Sequence, residues 1–109
     1  MPRIVSSAKR LRIYIGETDR WSRKSLYHAI VLKAKELGLA SATVFRGIMG
    51  YGADGRVRTA RIVDLPINLP ILIEITDSEK NINKLMPFLD EMMNIGVVMI
   101  DNIEIIYYQ

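Results

Sequence analysis

The sequence predicts an α+β fold, a four-stranded antiparallel sheet with two helices on one face. Three observations predict it. Alternating or β-branched runs recur at 10–16, 42–49, 71–76 and 97–108. Stretches of helical periodicity at 25–38 and from about 78 to Met93 separate them. The resulting order is β-α-β-β-α-β, the split arrangement of ferredoxin-like folds.

In RLRIYIG (10–16), Leu11, Ile13 and Ile15 alternate with Arg12 and Tyr14, the period of a half-buried strand. A polar loop, ETDRWSRK, follows. SLYHAIVLKAKELG (25–38) carries Leu26, Ile30, Ala34 and Leu37 at helical spacing. Ser22 or Ser25 is available as its N-cap, and Gly38 is suited to a left-handed C-terminal stop. ATVFRGIM (42–49) is rich in β-branched and aromatic residues, as strands are. RTARIVDL (58–65) reads as a return strand of the same hairpin, and the two prolines of LPINLP mark a turn. ILIEIT (71–76) is a strand. Asp77 or Ser78 caps the second helix, whose inward stripe is Ile82, Leu85, Met86, Leu89 and Met93. Pro87 lies inside it and removes one helical hydrogen bond. VVMIDNIEIIYY (97–108) is the last strand, with a bend expected near Asp101 and Asn102.

The helix-covered face is expected to take Leu11, Ile13, Ile15, Ile71, Ile73 and Ile75. Arg12, Tyr14, Leu72, Glu74, Glu104, Ile106 and Tyr108 are assigned to the opposite face. Strands one and three are central in this arrangement, so Arg12 is expected between Glu74 and Glu104. Leu72, Ile106 and Tyr108 make that face apolar enough to call for burial against another subunit.

At 109 residues the chain is read as one domain, with 1–8 as a flexible N-terminus. It has no cysteine, which excludes disulfides, thiol catalysis and cysteine-based zinc sites. No apolar run approaches the roughly 18 residues that span a bilayer. MPRIVSSAKR lacks the apolar centre of a signal peptide, so a cytoplasmic setting without membrane insertion is expected.

No catalytic or metal-binding constellation stands out. The one histidine, His28, lies near Lys24 and Lys35 on the polar face of its helix, as a solvated residue would. Asp90 and Glu91 are adjacent and so diverge on a helix. No G-x-S-x-G occurs. The fold order is shared with RNA-recognition domains, which stack bases on aromatics of the central strands. Here ILIEIT has no aromatic, Glu74 would repel phosphate, and the net charge is only +3. Nucleic acid is therefore not the expected partner.

GIMGYGADGR (47–56) places four glycines in ten residues. It is not a P-loop, because no G-K-[ST] follows, and its spacing does not fit G-x-G-x-x-G. Glycines still let backbone amides approach an anion. Arg46, Gly47, Gly50, Tyr51, Gly52 and Arg56 are the candidate ligand-binding residues, with Arg58 adding charge. Arg46 and Arg56 would supply charge, and Gly50 and Gly52 backbone contacts. The plain alternative is a hairpin tip turning at Asp54-Gly55.

LRIYIGETDRW, SLYHAIVLKAKELGLASATVFRGIMGYG and DLPINLPILIEITDSEKNI resemble a prokaryotic family of small uncharacterised proteins regarded as PII-like. The resemblance covers residues 9–108. More widely, the chain is similar to PII nitrogen-regulatory signal proteins. Gly50-Tyr51-Gly52 is similar to the glycine segment that opens the PII T-loop, and Asp64-Leu65-Pro66 to the stretch before the third strand. The resemblance implies a homotrimer, an adenine nucleotide between subunits, and a T-loop at 51–60 that contacts a protein target. PII proteins also carry a G-x-G-K loop before the final strand. This chain has NIGVVMIDNI there, with Gly96 alone, and the C-terminal arginines of PII have no counterpart. The fold and trimer therefore carry over better than ATP held in the PII manner, and the ligand is left unnamed, with an adenine nucleotide among its candidates. The reading is a regulatory module that takes a small anion. Its alternatives are an interaction oligomer without a ligand and an enzyme with an intersubunit site.

Overall fold

In a computed structural model, which describes residues 3–61 and 67–108, the first strand of the chain is a central one. β1 (Arg3–Gly16) leads to a hairpin of β2 (Arg20–Trp21) and β3 (Lys24–Ser25), then to α1 (Leu26–Glu36) and β4 (Ser41–Arg46). A second small hairpin follows, β5 (Met49–Gly50) and β6 (Arg58–Thr59). β7 (Pro70–Asp77), α2 (Glu79–Met92) and β8 (Val97–Tyr108) complete the order. The main sheet runs β4-β7-β1-β8, all pairs antiparallel. This is the α+β, ferredoxin-like arrangement that the periodicity predicts, with two helices over one face.

The register shows why these residues choose these faces. Leu11, Ile13 and Ile15 lie opposite Ile75, Ile73 and Ile71, and all six are buried beneath the helices. α1 contributes Leu26, Ala29, Ile30 and Ala34 to the same core, and α2 contributes Ile82, Leu85, Leu89 and Met92. Met92 is buried there as well, and Met93, the extended C-cap residue, packs half-buried against the same core with Met86. Ser78 caps α2, its hydroxyl accepting the Asn81 amide at 3.2 Å, and the helix continues through Pro87. Gly38 ends α1 at φ +81°. Ser25 occupies the N-cap position of α1 without capping by its side chain.

The polar loop before α1 is itself a hairpin. Ser22 and Arg23 have φ of +49° and +68°, the two left-handed positions of a tight turn that favours Asn-Gly. Arg23→Gly relieves one of them, and its exposed side chain has little packing to lose. It is expected to raise unfolding free energy by about 0.5–1 kcal/mol, read from denaturant midpoints. A lower midpoint would show that the turn is not strained.

Three expectations need correction. Residues from 3 onward are not a loose terminus: β1 begins there, because the twelve residues of β8 supply partners as far as Tyr108 opposite Arg3. Residues 3–8 and 103–108 thus form a ribbon extending beyond β7, which reaches only to Lys9. The longer pairing also shifts the register. Met99, not Glu104, lies opposite Arg12, and Glu104 faces Ser7. Glu104, Ile106 and Tyr108 therefore share the parity of the helix side, because pairing runs without interruption through 101–102. The Arg12–Glu74 pair is present at 3.6 Å, and Arg10 pairs with Asp101 at 2.7 Å instead of any contact to Glu104. Finally, the strand expected at 42–49 breaks at Gly47 and Ile48. The return strand is paired only at Arg58–Thr59, and residues 62–66 lie outside the described residues.

The open face is graded. One row across all four strands is Phe45, Leu72, Tyr14 and Val97, apolar throughout. The next is Thr43, Glu74, Arg12 and Met99, and the third is Ser41, Thr76, Arg10 and Asp101. Apolar surface thus gathers at one end of the sheet. Among the described residues, no helix is long and apolar enough to cross a membrane.

Candidate functional site

The apolar end of the sheet is also where the glycine segment folds back. Gly47 donates its amide to the Pro70 carbonyl at 2.7 Å, which ties the chain to the start of β7. A Cβ on Gly47 would stand 2.7 Å from Pro70 Cγ, and one on Gly50 would stand 3.1 Å from it. A side chain at Gly47 would thus displace the proline ring, and one at Gly50 would crowd it. β5 and β6 then pair, and the Gly55 amide bonds the Gly52 carbonyl at 2.9 Å to close the tip. Gly55 takes φ +71° there. The turn is thus centred on Ala53 and Asp54, one residue before the expected Asp54-Gly55, and Gly55 closes it in the left-handed conformation.

Between this hairpin and the strand ends lies a cleft of about 480 Å³. Its walls are Tyr14, Ile15 and Gly16 from the end of β1, and Ile95, Gly96 and Val97 leading into β8. Gly50, Tyr51, Gly52, Ala53, Asp54 and Arg58 form the hairpin side, with Asp19, Asn68 and Pro70 beside them. Gly96 has φ +123°, and a Cβ there would meet the Tyr14 carbonyl at 2.8 Å. Gly16 is equally confined, because Asn68 fills the space beside it. Asn68 also accepts the Thr18 amide at 2.8 Å, and Asp19 accepts the Gly16 amide at 2.7 Å. These bonds hold the β1–β2 turn as one side of the cleft.

The charge in the cleft is paired. The Arg58 guanidinium grips Asp54 through two hydrogen bonds, of 2.7 and 3.2 Å. Asp54 Oδ1 also accepts the Arg56 amide at 2.9 Å. The Arg58 bonds, and then the Arg56 amide, pull the Asp54 carboxyl down to about 2. The same contact raises Arg58 above its ordinary value, and Asp19 adds to that from across the cleft.

The candidate residues divide. Gly50, Tyr51 and Gly52 line the cleft, whereas Arg46, Gly47 and Arg56 are not among its lining residues. Arg46 instead pairs with Glu17 at 3.0 Å. Arg58, named from sequence only as a flanking charge, is the cation that lines the cleft. Asn68, Asp19 and Gly16 carried no local signal, since only the meeting of β1, β7 and the hairpin brings them together. His28 is exposed on α1. Among the described residues, no group of three or more His, Cys, Asp or Glu side chains is arranged to hold a metal ion.

Comparison with known proteins agrees with this architecture. The chain is 35% identical over 103 residues to a UPF0166 protein of Aquifex aeolicus, covering 94% of this chain and 97% of that one. It is 42% identical over 94 residues to a UPF0166 protein of Methanocaldococcus jannaschii, covering 85% and 86%. Among solved structures, a putative PII-like signaling protein of Thermus thermophilus superposes with a TM-score of 0.63 at 20% identity. CPII, a nitrogen regulatory PII-like protein of Thiomonas intermedia bound to ADP, AMP and bicarbonate, superposes with a TM-score of 0.61 at 19% identity. Both alignments cover 94% of this chain and 91% of the other. Residues 8–105 match the family DUF190, described as an uncharacterized ACR. The chain therefore belongs to the DUF190 family of uncharacterised proteins, and its fold is that of PII-like proteins.

Proposed function

We propose that this protein is a PII-like regulatory module. It takes a small anionic ligand, with an adenine nucleotide as the first class to test, and signals through the hairpin at 49–59. The observation that carries this reading is the cleft itself. One wall is a short glycine-bearing hairpin, and the other is the rigid end of the central sheet. A ligand bridging the two changes the surface that the hairpin presents to a protein partner, provided it prefers one hairpin state. Gly50 and Gly52 are the backbone contacts, Tyr51 and Tyr14 offer ring faces to a base, and Arg58 is the charge contact. The complex of CPII with ADP and AMP, in the same fold, supports a nucleotide as the ligand class.

A homotrimer completes the reading. The row Phe45, Leu72, Tyr14 and Val97 runs along the cleft end of the open face and is covered when copies meet there. The cleft then lies beside a subunit junction, in a cytoplasmic assembly. The same row equally serves an oligomer that binds no ligand, which is the second reading.

Melting of the protein with ADP, AMP, ATP and pyrophosphate, alongside its mass by light scattering, tests both. A true ligand at one hundred times its dissociation constant stabilises the fold by about 2.7 kcal/mol. A trimer stabilised by one of these anions supports the module. A trimer that none of them stabilises favours the ligand-free oligomer, and a monomer removes the junction altogether.

A further inference from the structure

Among the described residues lining the cleft, Arg58 is the one cation, and it is already engaged. Its two terminal nitrogens hold both oxygens of Asp54, the geometry with which a guanidinium takes a phosphate group. The two partners are held differently. Arg58 stands on β6, paired with Gly50 of β5. Asp54 stands at the exposed tip, in the turn closed by residues 52–55. An anion entering between the hairpin and the sheet end therefore meets a cation whose fork is filled by a carboxylate on an exposed turn.

We propose that Asp54 is a built-in competitor for the ligand anion, and that Arg58 exchanges the Asp54 carboxylate for a phosphate group on binding. The proposal rests on the anion-binding reading and names its switch. Asp54 also accepts the Arg56 amide, so its release from Arg58 loosens the tip as well as freeing the guanidinium. Ligand occupancy is thereby transmitted to residues 53–56, in the loop between β5 and β6. Asp54 is ionised throughout the neutral range, so the competition is permanent and not set by pH. Asp19, the other acid in the cleft, is bonded to the Gly16 amide and stays with the sheet-side wall.

Calorimetric titration of pyrophosphate into the wild type, Asp54→Asn and Arg58→Gln tests the exchange. Asp54→Asn keeps the shape and an acceptor for the Arg56 amide but removes the competing charge. It is expected to bind roughly tenfold tighter, because a larger fraction of molecules has the guanidinium free. Arg58→Gln is expected to weaken binding by about tenfold or more, with its far-ultraviolet circular dichroism unchanged, since both positions lie on the hairpin outside the core. Hydrogen exchange at the 52–57 amides is expected to quicken in Asp54→Asn without ligand and in the wild type with pyrophosphate. A wild type that binds while Asp54→Asn binds no tighter overturns the competitor role and leaves the anion site standing. If none of the three proteins binds, the anion-binding reading fails, and the exchange fails with it.

Discussion

Gly96→Ala is expected to destabilise the protein by about 2–4 kcal/mol, although it adds a single methyl group. Two costs combine. The backbone at Gly96 has φ +123°, a conformation that an L side chain rarely adopts. The new Cβ would stand 2.8 Å from the Tyr14 carbonyl oxygen and 2.9 Å from both Ile15 and Met93. The carbonyl belongs to a central strand bonded on both sides, so it cannot retreat without disturbing the sheet. For a domain of this size the loss corresponds to roughly 8–30 °C in melting temperature. Because Gly96, Tyr14 and Ile15 all line the cleft, any relaxation reshapes its wall. Denaturant unfolding measures the first effect. A change below about 0.5 kcal/mol would show that the β8 approach has room to adapt.

Ile13→Ala is expected to cost about 2–5 kcal/mol, the range for emptying a tightly packed core position. Ile13 is fully buried in β1, opposite Ile73 on one side and Val98 on the other, beneath both helices. Strands on either side and helices above leave nothing free to collapse into the space. Leu32→Ala, at a half-exposed position on the outer face of α1, is the control. It is expected to change stability by about 1 kcal/mol or less. Equal losses at the two positions would mean that the core does not sit between β1 and the helices.

Both effects depend on information that was unevenly legible. The burial of Ile13 could be read from RLRIYIG alone, because a strand exposes alternate residues to opposite faces and the apolar set is continuous. The Arg12–Glu74 pairing was legible for the same reason, as RLRIYIG and ILIEIT are short, similar runs with one sensible alignment. The register of β8 was not. Its twelve residues alternate poorly and are largely exposed, so no apolar face selects one alignment. Centring β8 on residues 10–16 put Glu104 beside Arg12. The recruitment of residues 3–8 into β1 moved it away.

The site divides along the same line. The glycine segment stood out by composition, and its place between the second and third strands of the order was correctly read. Its individual roles depended on distant residues. Gly47 and Gly50 are small because Pro70 lies beneath them, and Arg46 is diverted to Glu17. Arg58 was legible as a nearby charge, but its grip on Asp54 follows from the pairing of β5 with β6.

By itself, then, the sequence determined the order of elements, the two helices with their buried stripes, the faces of β1 and β7, and the family to which the chain belongs. The structural features rest on periodicity and on short-range capping, both of which are written within a few residues, and the family rests on sequence resemblance. Tertiary structure alone decided the register of β8, the ribbon at 3–8 and 103–108, and the cleft. Each arises where segments distant in the chain meet, and the forces that choose among their alignments are steric contact and pairing across strands. No local pattern carries those.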